Sequence, residues 1–157
     1  MIARFKMLAL LGLAGLGATA CLAAVETKDA AIEARDTIWA KEMAIYAGRS
    51  HGMVDFYIAN ASPNFLAWTA GTPAPFRIDK LRAGKPAMVG KDKEIIKTVF
   101  RDFSLSGDTA IIYYVNHRTR LPDGTVVDQT YDNIHVWQKT QGDWKVLASM
   151  SRPMPTP

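Results

Sequence analysis

The chain has 157 residues, of which 48% are hydrophobic, 22% charged and 10% aromatic, with 19 Lys and Arg against 15 Asp and Glu. That composition excludes a disordered, collagen-like or coiled-coil chain, and the length fits one domain with room for a processed leader. One cysteine and three histidines exclude an internal disulfide framework and leave little for a Cys/His zinc site, so neither metal nor cofactor is expected.

Residues 1–24 read as an export signal. Arg4 and Lys6 precede an apolar run from Met7 to Gly17, too short and too glycine-broken to span a bilayer well. Ala18-Thr19-Ala20 then supplies the small residues that signal peptidase takes. Simple cleavage is the main reading. Cys21 raises a lipid anchor as the minority one, although Ala18 is smaller than the aliphatic residue usual at that place. Residues 25–157 are then a single periplasmic or secreted domain with no membrane span. Losing Arg4 and Lys6 leaves 17 of the 19 basic groups against 15 acidic ones, net +2. The remaining basic cluster (Arg77, Lys80, Arg82, Lys85, Lys91, Lys93) has no interleaved aromatics, so it reads as a solvated face and nucleic acid is not an expected partner.

From Asp29 to Tyr46, apolar residues at Ile32, Trp39, Met43 and Tyr46, with Ala31 and Ile38 beside them, predict a long amphipathic helix ending near Gly48. Ser50 is suited to cap a second, shorter helix carrying Met53, Phe56 and Tyr57, which must stop before Pro63. Phe65 to Thr69 reads as a first strand. Residues 71–91 hold three glycines and three prolines, an irregular stretch of the length that forms entrances or lids, with room for one short strand. Asp92 to Thr98 suits a third helix.

Val99 to Arg152 carries strand signal for three hairpins, and the turns set their register. Ser106-Gly107-Asp108-Thr109 fits a two-residue type II′ turn. Leu121-Pro122-Asp123-Gly124-Thr125 fits a three-residue loop, with Pro122 leading a type I turn and Gly124 left-handed. Thr140-Gln141-Gly142 allows the same geometry. These turns align Leu105, Ala110, Val136 and Val146 in one row, then Phe103, Ile112, Ile134 and Ala148. Arg101, Tyr114, Asp132 and Met150 follow, then Val99, Asn116, Thr130 and Arg152. One sheet face thus grades from an apolar floor to a polar rim, as a cavity open at one end requires. The other face would carry Ile111, Tyr113, Val115 and His117 against His135, Asn133, Tyr131 and Gln129, a mix suited to a subunit contact or to plain solvent.

Helix, helix, strand, helix and a four-stranded meander resembles the cystatin-like cone of nuclear transport factor 2, the SnoaL-type polyketide cyclases and ketosteroid isomerase. The chain is most similar to exported bacterial proteins of the SnoaL-like branch. Trp39-Ala40, Gly107-Asp108-Thr109-Ala110, His135-Val136-Trp137 and Gly142-Asp143-Trp144-Lys145-Val146 carry the likeness, which covers most of residues 28–152. It implies an α+β fold, a curved antiparallel sheet wrapped around the long N-terminal helix. It also implies a deep pocket between helix and sheet, and a homodimer through the sheet's back. Family members often place histidine or glutamine where this chain has Met150, and a basic residue where it has Asp132. The first strand carries no carboxylate, so the ketosteroid isomerase route is not expected.

Asp132, one row above the apolar floor, is the catalytic candidate, because desolvation there would raise its pKa toward neutrality. Tyr114 is its expected neighbour, with Arg101 in reach as an ion-pair partner or oxyanion support and Asn116 at the rim. Trp39, Trp68 and Met150 complete the expected ligand-binding set, the tryptophans as flat walls or as core. Trp144 reads as structural. His117 and His135 point away from the cavity in this register, His51 has no partner set, and Arg118 faces Asp128 as a surface pair. The expected role is binding of a small apolar or amphipathic ligand. The alternatives are an acid–base enzyme using Asp132 and a protein-interaction domain.

Overall fold

The computed structural model describes residues 27–155, so the leader reading at residues 1–24 and Cys21 lies outside the described residues. Helix α1 runs Lys28–Ser50, with the Thr27 hydroxyl accepting from the Ala30 amide. It ends two residues beyond the expected stop. Gly52 sits left-handed at φ 70°, its amide bonded to the Arg49 carbonyl, and the Met53 amide reaches the Gly48 carbonyl. This is the paired closure that a glycine just past a helix end permits. A Cβ at Gly52 would lie 2.7 Å from the Met88 carbonyl oxygen, so no side chain fits there. Ser50 is therefore the last residue of α1 and caps nothing. Helix α2 (Asp55–Asn60) begins later, without a side-chain cap.

Strand β1 (Ala61–Trp68) follows directly, then a two-residue strand β2 (Phe76–Arg77), helix α3 (Ile78–Gly84) and a 3₁₀ turn at Lys85–Met88. The third helix thus lies inside the 71–91 stretch. Residues from Ile95, where a helix was expected, already belong to β3 (Ile95–Ser106), followed by β4 (Thr109–Arg120), β5 (Val126–Thr140) and β6 (Asp143–Pro153). The sheet order is β2-β1-β6-β5-β4-β3, and it is mixed, because β1 runs parallel to β6. Ala34, Ile38, Glu42, Ile45 and Tyr46 form the buried stripe of α1, while Ile32 and Met43 of the expected face are exposed.

The expected hairpin ends are largely present, yet the register between them is not. At Leu121–Thr125 the Leu121 amide meets the Thr125 carbonyl and Gly124 is left-handed, as the sequence predicts. Beyond it, Arg120 pairs with Val126 but Arg118 pairs with Gln129, so β5 carries one extra residue. A bulge of one residue moves every later side chain of a strand to the opposite face. Tyr131, Asn133, His135 and Trp137 therefore face inward, and Thr130, Asp132, Ile134 and Val136 outward. A two-residue turn at Gln141-Gly142, both left-handed, and an extra residue in β6 between Val146 and Ala148 turn Ser149 and Ser151 inward and Met150 outward. A third bulge puts Arg101 outside the β3–β4 ladder, Phe100 pairing with Tyr114 in its place.

The gradient from floor to rim survives with other occupants. Leu105, Ala110, Trp137 and Val146 make the lowest row, then Phe103, Ile112, His135 and Ser149. Tyr114, Asn133 and Ser151 come next, and then Asn116 with Tyr131. Among the described residues no helix is long and apolar enough to cross a membrane.

Candidate functional site

A cavity of about 450 Å³ lies between the inward face of the sheet and the helices. Tyr46 and Arg49 reach it from α1, Tyr57 from α2 and Phe65 from β1. Asn116 and Arg118 come from β4, and Asn133 and His135 from β5. The stretch after β1 contributes Phe76, Leu81 and Met88, so the segment expected to form an entrance does line it.

At the floor, Glu42 is fully buried on the α1 stripe, where its four-residue spacing from Ile38 aims it at the sheet. Its Oε1 accepts from Trp137 Nε1 at 2.8 Å and lies 2.7 Å from His135 Nδ1. Its Oε2 is buried with no partner. A carboxylate on Nδ1 makes that nitrogen the donor and leaves Nε2 as the acceptor. The Tyr57 hydroxyl stands 3.3 Å from Nε2. The Tyr114 hydroxyl is 3.3 Å from the ring nitrogens and 2.9 Å from the Tyr46 hydroxyl. Burial, with the Glu42 charge second, pushes the Tyr46 hydroxyl up to about 12 and that of Tyr114 well above its ordinary value. Burial also raises Tyr57. All three are O–H donors at neutral pH, and those of Tyr57 and Tyr114 stand beside the His135 ring.

Nearer the mouth, Glu94 is buried between Arg49 and Arg118, its Oε1 3.0 Å from Arg49 Nη2 and 2.9 Å from Arg118 Nε. Arg118 thus pairs with Glu94, and the carboxylate it was expected to meet, Asp128, sits on His117 at 2.7 Å. His51 bonds the Ala47 carbonyl.

No family model matches the sequence, and no curated protein does. Solved structures do match. A protein described as a proposed dehydratase of the NTF2-like family, from Streptomyces avermitilis, is 18% identical over 80% of this chain and 99% of its own, with a TM-score of 0.65. An NTF2-like protein from Cytophaga hutchinsonii is 18% identical over 76% and 98%, at 0.62. A ketosteroid isomerase-like protein from Erwinia carotovora atroseptica is 16% identical over 77% and 96%, at 0.63. The fold is nuclear transport factor 2-like.

Within that fold the expected site residues scatter. Asp132 is turned to the outer face, where Arg152 Nε and Nη2 donate to its Oδ2 at 3.0 and 2.8 Å, so it meets neither Tyr114 nor Arg101. Arg101 is exposed at its bulge. Trp68 and Met150 pair side by side on the outer face, 51% and 55% exposed. Trp39 packs edge-on against Phe100 at 5.6 Å beside a separate small cleft. Trp144 is core. Only Asn116 of the expected set lines the cavity, with Tyr114 joined to it through hydroxyl contacts. Sequence reasoning passed over Glu42, Tyr46, Arg49, Tyr57, Glu94 and Arg118 as site groups, and placed His135 on the wrong face. Glu42 had one signal, its place between Ile38 and Ile45 on a helical stripe. Among the described residues no three His, Cys, Asp or Glu side chains cluster as a metal site.

Proposed function

We propose that the cavity binds a small amphipathic molecule and that the His135–Glu42 pair moves a proton on it, as an acid–base enzyme of the isomerase or dehydratase kind. The observation that carries this reading is the 2.7 Å contact from Glu42 Oε1 to His135 Nδ1, deep below a cavity that His135 itself lines. In the step proposed, His135 Nε2 takes a proton from a carbon next to a carbonyl. Glu42 holds the imidazole tautomer and balances the imidazolium that forms. The Tyr57 hydroxyl, released from Nε2, donates to the developing enolate oxygen. The proton then returns to another carbon, completing an isomerisation, or joins a departing hydroxide, completing a dehydration with release of water. The Streptomyces protein's description as a dehydratase and the Erwinia protein's likeness to ketosteroid isomerase support this class of chemistry.

Proton-exchange spectroscopy tests it without knowledge of the full reaction. Small enolisable ketones and oxo acids incubated with the protein in deuterium oxide should lose the proton signal next to the carbonyl. His135→Gln should slow that loss about a hundredfold or more with the melting curve preserved. A His135→Gln protein that binds the same compounds and exchanges them as fast as wild type would overturn the assignment. The proposal also includes export through the residue 1–24 leader and a homodimer formed on the outer face, which exposes Trp68, Tyr113 and Met150. Native mass spectrometry of the exported protein should show a dimer lacking the leader; a monomer, or a chain starting at Met1, counts against the respective half.

A further inference from the structure

At the mouth, two guanidiniums share one carboxylate oxygen. Arg49, Arg118 and Glu94 therefore sum to one positive charge, Lys80 adds a second, and no Asp or Glu stands among the described lining residues. Each arginine is held on one side by an aromatic ring, Arg49 over Tyr46 at 5.8 Å and Arg118 over Tyr131 at 5.5 Å. These contacts fix the forks while consuming few of their N–H groups. Among the described residues, Arg49 donates one side-chain hydrogen bond, to Glu94. Arg118 Nε is buried without an aligned acceptor, since its 2.9 Å approach to Glu94 is a charge contact and not a directed bond. Glu94 Oε2 is likewise unpartnered. Both arginines line the cavity, and the guanidinium N–H groups not turned to Glu94 are a preformed place for a carboxylate, which matches the fork with two parallel bonds.

Resting on the reading that this cavity binds the substrate of His135, we infer that the substrate is an amphipathic carboxylate whose anionic end is held by Arg49 and Arg118. The separation follows from α1. Glu42 and Arg49 are seven residues apart on one stripe of the helix, about 10 Å along its axis. The carboxylate therefore stands about 10 Å from the carbon that His135 serves, with an apolar middle lying against Phe65, Phe76, Leu81 and Met88. Arg49 and Arg118 set which molecules enter, and the floor sets what happens to them.

Isothermal titration of the full chain with 4-phenylbutyrate and its neutral isostere 4-phenylbutyramide, and with octanoate and octanamide, separates the possibilities. Each carboxylate should bind at least tenfold more tightly than its amide. The preference should fall below threefold in Arg118→Met or Arg49→Met, while His135→Gln keeps it. The wild-type comparison stands even where a variant fails to fold. Equal binding of acid and amide would overturn the anion inference and leave the cavity reading intact. Binding of no probe in either pair would overturn the cavity reading and this inference with it.

Discussion

The floor and the mouth of the cavity are built on the same device with opposite consequences. Glu42 and Glu94 are both buried, each gives one oxygen to two partners, and each keeps its second oxygen without a partner. At the floor the partners are a neutral indole and an imidazole that can gain or lose a proton. At the mouth they are two guanidiniums that stay charged at any working pH. The first arrangement lets a proton move; the second fixes a charge. Depth adds to the contrast, because His135 is 4% exposed in its side chain while Arg118 and Arg49 keep 17% and 29%.

Removing each glutamate should show the difference most strongly. Glu42→Ala leaves the buried Trp137 and His135 donors without their acceptor, and should cost about 3 kcal/mol or more. Glu94→Ala leaves arginines that can turn toward solvent, and should cost about 1–2 kcal/mol. Urea unfolding with an unchanged slope measures both. A larger loss for Glu94 than for Glu42 would break the comparison.

Why the sequence showed one part and hid another follows from the same residues. Glycine and proline at the turns, alternation along β4 and along β3 from Val99, and the helical spacing of α1 made most of the elements and the fold class readable, because these are local constraints. The face of β5 was not local. Tyr131, Asn133, His135 and Trp137 alternate with Thr130, Asp132, Ile134 and Val136, and the β-branched Ile134 and Val136 look like the core set. An extra residue opposite Thr119 reverses that choice, and nothing in Val126-Val127-Asp128-Gln129 signals it. Glu42 was hidden for a related reason. A carboxylate on a helix is normally a solvent marker, and it reads as buried only once an imidazole and an indole face it from a strand whose direction is already known.

A third carboxylate repeats the two-partner device in water. Asp143 takes Lys41 Nζ on one oxygen at 2.6 Å and Lys145 Nζ on the other at 3.0 Å, with its side chain 51% exposed. The hydrogen bond from Lys41, then that from Lys145, lowers its pKa to about 2. The folded value lies below the unfolded one, so the stabilisation is present above about pH 4 and is lost as pH falls through about 2. Exposure and salt screening hold the effect to about 1 kcal/mol or less. Asp143→Asn should therefore lose stability relative to wild type at pH 7 and converge with it near pH 2. A gap that stays constant across that range would show that the lysines do not act through this charge.

The smallest effect belongs to Asp132, which the sequence put forward as the catalytic group. Its one partner, Arg152, is 79% exposed in its side chain, and both lie across the sheet from the cavity. A pair of that kind contributes about 0.5 kcal/mol or less. Asp132→Asn should leave proton exchange and carboxylate binding at wild-type levels and shift the unfolding midpoint little. Set beside His135→Gln, it reads out the orientation of β5 directly, since the two side chains occupy opposite faces of one strand three residues apart. Were Asp132→Asn to abolish exchange while His135→Gln spared it, the bulge before Gln129 would be absent in solution. The floor would then be lined by Ile134 and Val136, and Glu42 would face no imidazole at all.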